Sequence, residues 1–144
     1  MKVLVVDDSD LSEPLSELVR VLGHDADTAE PGPTAVDKAA AWLPDLVLLD
    51  VRRWSDDRFE ICRRIRSDPR LFGCRVVAAT GSFDPAIRET GLFDGVLVKP
   101  ISFETLQVVL DSARSGGSGG QSAPNGASMR SPAHPDHTIA KGNV

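Results

Sequence analysis

Cysteine is scarce: Cys62 and Cys74 are the only two, and they satisfy neither a zinc-ligand spacing nor a redox C-x-x-C. Both read as small apolar side chains of a core rather than as a disulfide framework. Met1-Lys2-Val3 opens no secretory leader, so reduced thiols and a cytoplasmic location are the expectation. No apolar run approaches the roughly 20 residues that a bilayer-spanning helix needs, and no membrane insertion is expected. An excess of positive charge is missing too. With 16 basic against 21 acidic side chains and a net charge of −5, the chain is a poor partner for a nucleic-acid backbone. No G-x-G-x-x-G follows the first apolar run, which disfavours dinucleotide binding.

What is present is an alternation. Apolar, β-branched runs at Lys2–Val6, Asp25–Ala29, Asp45–Asp50, Arg75–Ala79 and Gly95–Val98 are separated by segments of helical periodicity. Five such units predict an α/β domain with a doubly wound, five-stranded parallel sheet. Four of the runs are almost continuously apolar, as strands covered on both faces must be, whereas Asp25–Ala29 alternates and reads as an edge. Leu11, Leu15, Leu18, Val19 and Leu22 mark the first helix, which Gly23 closes. The second is expected from Thr34 to Trp42, with Trp42 facing the core. The third is expected from Asp56 to Arg66, and a short fourth begins at Asp84-Pro85, a cap followed by proline. The last runs from Phe103 to Arg114, with Phe103, Leu106, Val109, Leu110 and Ala113 on one face. Residues 1–114 are therefore expected to form one domain. Residues 115–144, which open with Ser115-Gly116-Gly117-Ser118-Gly119-Gly120, read as a flexible Gly/Ser/Pro-rich tail unable to bury enough apolar surface.

In a parallel α/β sheet, ligands bind beyond the carboxyl ends of the strands. Asp7 and Asp8 follow the first strand, Asp50 ends the third, Thr80 follows the fourth, and Lys99-Pro100 follows the fifth. Taken alone, Asp7 or Asp8 reads as the cap of the next helix. As a set, three acids, a hydroxyl and a lysine at the same ends of four strands point to a site. Three converging carboxylates repel one another unless a cation is held between them, and a hard oxygen-seeking ion such as Mg²⁺ suits them.

These residues resemble the response-regulator receiver family. The resemblance rests on an acidic pair after Val3-Leu4-Val5-Val6, an aspartate after Leu46-Val47-Leu48-Leu49, a threonine followed by a small residue, and Lys-Pro after an apolar strand. It covers residues 1–114 and implies a flavodoxin-like strand order of 2-1-3-4-5. It further implies that Asp50 is the phosphoacceptor, taking a phosphoryl group from the phosphohistidine of a sensor histidine kinase or a histidine phosphotransfer protein. Asp7, Asp8, Asp50 and the backbone carbonyl of Arg52 would hold Mg²⁺, while Thr80 and Lys99 would contact the phosphoryl oxygens. Output would pass through contacts with a downstream protein of unknown identity or within a homodimer.

The sequence departs from the family in places. The loop Asp50-Val51-Arg52-Arg53-Trp54-Ser55-Asp56-Asp57-Arg58 lacks the usual proline, and Arg58 stands where the family has glycine. Arg52, beside the acceptor, is a candidate for tuning the phosphoryl lifetime. Trp54 reads as a loop residue packed on a neighbouring helix or as a partner anchor. Val96 occupies the switch position where an aromatic residue is common. Two rival readings stand beside the phosphoacceptor: a degenerate receiver that binds partners without phosphorylation, and a phosphatase of the haloacid dehalogenase class with Asp8 as nucleophile, for which Asp8-Ser9-Asp10 supplies the D-x-D spacing.

Overall fold

The apolar runs become the centre of the molecule because parallel strands buried on both faces need helices on each side. The computed structural model describes residues 1–52, 56–81, 84–114 and 127–129. Its strands β1 (Lys2–Val6), β2 (Asp25–Ala29), β3 (Leu46–Asp50), β4 (Arg75–Thr80) and β5 (Gly95–Val98) alternate with helices α1 (Ser12–Val21), α2 (Pro33–Trp42), α3 (Asp56–Ser67), α4 (Pro85–Glu89) and α5 (Phe103–Arg114). The five strands are parallel, in the order 2-1-3-4-5. β3 is buried along its whole length, whereas β2, with Asp25 and Asp27, is the partly exposed edge expected from its alternation. Among the described residues, no helix is long and apolar enough to cross a membrane.

Each face of the sheet carries its own apolar layer. On one, Leu4, Val6, Val47, Leu49, Val76 and Ala78 meet Ala35 and Ala39 of α2, Ile61, Cys62 and Ile65 of α3, and Ile87 of α4. On the other, Val3, Val5, Leu46, Leu48, Val77 and Leu97 meet Leu15 and Val19 of α1 and Leu106, Val109 and Leu110 of α5. Each fully buried leucine contributes about 1.5–3 kcal/mol relative to an exposed one. Trp42 packs against the first layer, with the Lys2 ammonium 5.6 Å from its ring centroid.

The helix ends follow local chemistry. Pro33 opens α2, and Asp84 caps α4 by accepting the Ala86 N–H at 3.0 Å. Gly23 and Gly91 take positive φ angles of 96° and 69° where the chain leaves α1 and α4, which glycine does without steric cost. Phe103 departs from expectation: it is 42% exposed, because it stands at the first residue of α5 while Leu106, Val109 and Leu110 form the buried stripe.

A second departure lies at the far edge of the sheet. Residues Ala127–Met129 form a sixth strand, β6, antiparallel to β5, with Gly95 opposite Met129 and Leu97 opposite Ala127. They belong to the segment expected as flexible tail, and the rest of 115–144 lies outside the described residues. An uncovered β5 would present a row of unpaired backbone groups, which is what a short extra strand satisfies.

Burial raises the thiol pKa of Cys62 to about 11 and of Cys74 to about 12. Neither is a ready nucleophile. Iodoacetamide at mildly alkaline pH should therefore leave both unmodified in the native protein and alkylate both in guanidinium chloride, as read by intact mass. Rapid alkylation of the native chain would contradict this packing.

Candidate functional site

Parallel strands deliver their carboxyl ends to one edge, and the side chains leaving β1, β3, β4 and β5 there are Asp7, Asp8, Asp50, Thr80 and Lys99. Asp50 is the last residue of the central β3, paired with Ala79, and Thr80 closes β4 one position further on. The Val51 N–H continues the ladder, donating to the Ala79 carbonyl at 2.8 Å, so the chain leaves the sheet only at Arg52. Asp7, Asp50 and Thr80 are buried, with 4%, 4% and 3% of their surface exposed, whereas Asp8 is open to solvent.

The three aspartates each offer an oxygen within 4.8 Å of the others. Such a cluster needs countercharge. Lys99, whose peptide bond to Pro100 is cis, places Nζ 2.8 Å from Asp50 Oδ1 and 3.0 Å from Asp7 Oδ2. Arg52 donates through Nε to Asp50 Oδ2 at 3.1 Å and through Nη2 to Asp8 Oδ1. The other Asp8 oxygen accepts from Arg58 Nη2 at 3.3 Å. Asp7 Oδ1 accepts the Ser9 N–H at 2.8 Å.

These contacts set the ionisation of the cluster. Burial pushes the Asp7 carboxyl up, but the bonds from Ser9 and Lys99 outweigh it and hold its pKa below the ordinary 3.8. Burial likewise pulls the Lys99 ammonium down, and its bonds to Asp50 and Asp7 outweigh that, leaving its pKa above 10.5. Asp50 and then Asp8 stabilise the charged form of Arg52.

The structure thus brings together Asp7, Asp8, Asp50, Lys99 and Arg52, with Thr80 at the adjoining strand end. Val96 is not part of this group: it is 7% exposed and packs in the layer containing Ile87 and Phe93. Among the described residues, a Cβ added to Gly81 would meet nothing within 4 Å. Trp54 lies outside the described residues.

Arg58 is the site residue that sequence reasoning missed. It is 5% exposed, and its position three and four residues before Ile61 and Cys62 puts it on the inward stripe of α3. That spacing was the available signal, since a cation on an apolar stripe requires an acidic partner.

The acceptor-type oxygens of Asp7, Asp8 and Asp50 suit a hard divalent ion, so the donor set fits Mg²⁺. No family model matches the chain. It is 38% identical over 104 residues to the response regulator PleD of Caulobacter vibrioides, a match covering 69% of this chain and 23% of PleD, so the chain spans less than a quarter of that relative. Among solved structures, it resembles the chemotaxis protein CheY4 of Vibrio cholerae at a TM-score of 0.70 and 28% identity, covering 76% of this chain and 95% of that one. It also resembles the receiver domain of the sensor histidine kinase PA1611 of Pseudomonas aeruginosa at a TM-score of 0.67 and 25% identity. That match covers 76% of this chain and 93% of the other, whose active-site cleft holds a magnesium ion.

Because the Asp7 pKa is depressed, its contribution to stability is complete above pH 3.8 and is lost as pH falls through its lower folded value. In chelator-containing buffer, the unfolding free energy of the wild type should fall more steeply below pH 4 than that of Asp7→Asn, as measured by urea titration. Parallel acid limbs would show that Asp7 is not held by Ser9 and Lys99 in solution.

Proposed function

The chain carries a receiver domain of the response-regulator family, and we propose that it accepts a phosphoryl group on Asp50 from the phosphohistidine of a sensor kinase or histidine phosphotransfer protein. The observation that carries this reading is the setting of the Asp50 carboxylate at the end of the central strand, between Lys99 Nζ at 2.8 Å and Arg52 Nε at 3.1 Å. An Asp50 oxygen attacks phosphorus, the P–N bond breaks as the P–O bond forms, and the departing imidazole keeps the electron pair. Lys99 moves from neutralising the free carboxylate to pairing with a phosphoryl oxygen, and the Thr80 hydroxyl donates to another. Both supply charge and position in a low-dielectric setting, where phosphoryl transfer gains most of its catalysis.

Asp7, Asp8, Asp50 and the Arg52 carbonyl would hold Mg²⁺, which when bound neutralises charge on the transferring group. Asp8 is a poor candidate for the nucleophile of a phosphatase, because the site lysine, Lys99, contacts Asp50 and Asp7 and not Asp8. Arg52, in contact with the acceptor, is also positioned to lengthen the life of the phosphoryl group by pairing with it. Output then runs through protein contacts. Val96, too short to act as a swinging aromatic, leaves the α4 and β5 face itself to shift its population on phosphorylation.

The test is intact mass after incubation with acetyl phosphate, with and without Mg²⁺, followed by a phosphorylated kinase. The wild type should gain one phosphoryl group only with the ion, and Asp50→Asn should gain none. An unmodified wild type under both donors would favour a binding module that works without phosphorylation.

A further inference from the structure

The acidic cluster is already charge-balanced by the chain itself. Three carboxylates, Asp7, Asp8 and Asp50, face three cations, Lys99, Arg52 and Arg58. Lys99 is the phosphate-side countercharge, and it touches Asp7 and Asp50 but not Asp8. The two arginines divide Asp8 between them, Arg52 on Oδ1 and Arg58 on Oδ2. A divalent ion that uses Asp8 therefore meets a guanidinium on each carboxylate oxygen and competes with it for the carboxylate's charge.

The two arginines are not equivalent. The Arg52 side chain is 54% exposed, so it can exchange its two aspartates for water more readily than a buried guanidinium could. The Arg58 side chain is 6% exposed, its Nη1 is 3.9 Å from Asp57 Oδ2, and its buried Nε has no hydrogen-bond partner among the described residues. A guanidinium so placed has few other groups to satisfy it, and Asp8 is its main partner.

We propose that Arg52 and Arg58 are built-in competitors for the divalent cation, positioning residues that occupy Asp8 at rest and set how tightly Mg²⁺ binds. Arg52 acts as the movable member, and its release from Asp8 frees it for the phosphoryl group. Arg58 acts as the fixed member, keeping positive charge beside Asp8 throughout. The inference rests on the reading of the cluster as a divalent-ion site, and it goes beyond that reading by assigning the affinity to two cations of this chain.

The experiment is calorimetric titration of MgCl₂ into the full chain, comparing wild type with Arg52→Ala, Arg58→Met and the double variant, each checked for folding by thermal melting. Mg²⁺ should bind at least tenfold more tightly to each single variant, with a larger gain in the double variant. Arg52 is exposed, so Arg52→Ala decides the matter even where Arg58→Met fails to fold. Unchanged or weaker affinity in Arg52→Ala, or no Mg²⁺ binding by any variant, overturns the proposal. Mg²⁺-dependent phosphorylation with unchanged affinities would sink this inference and leave the phosphoacceptor reading standing. Tighter Mg²⁺ binding without phosphorylation of any form would do the reverse.

Discussion

Three carboxylates whose oxygens lie within 4.8 Å of one another impose the constraint around which the site is arranged. At an effective dielectric of about 20, two unit charges 4 Å apart interact by about 4 kcal/mol, comparable to a large part of a domain's net stability. The fold can afford the cluster only because oppositely charged groups reach it. Lys99 arrives from β5 across the edge of the sheet, Arg52 from the first turn of chain beyond β3, and Arg58 from the inward face of α3. The five-stranded order matters for the same reason. With β3 between β1 and β4, Asp50 stands between the aspartates of β1 and the hydroxyl of β4, and Lys99 spans the remaining gap.

Much of this was legible in the sequence, because the signals were local. Four continuous apolar runs and one alternating one marked the strands to within a residue, and Asp84-Pro85 and Gly91 framed α4. The identity of the strand-end residues followed from topology, since parallel strands joined by right-handed crossovers all end at one edge. What was less legible depended on partners distant in sequence. Arg58 was visible as an unusual residue at a helix start, but nothing nearby announced Asp8, 50 residues away, as its partner. β6 is three residues in a segment of polar composition, and only the available edge of β5 gives it a place. Phe103 followed the helical period and still faces solvent, because the first turn of α5 lies beyond the layer it would have filled.

The departures from the receiver pattern gather on two sides of Asp50. Arg52 and Arg58 alter the side of the aspartate cluster, and buried Val96 alters the side toward α4 and β5. Asp50 and Lys99 sit between them in direct contact. On the proposed reading, phosphoryl acceptance would rest on a part of the site that neither change removes, while ion dependence and coupling to output would rest on parts that differ.

The central claim is that Asp50, and not Asp7 or Asp8, is the residue that becomes an acyl phosphate. Borohydride reduction of the phosphorylated chain converts an acyl phosphate to the corresponding alcohol, and peptide sequencing by tandem mass spectrometry then locates it. The account predicts homoserine at position 50 alone; homoserine at position 7 or 8 would contradict it.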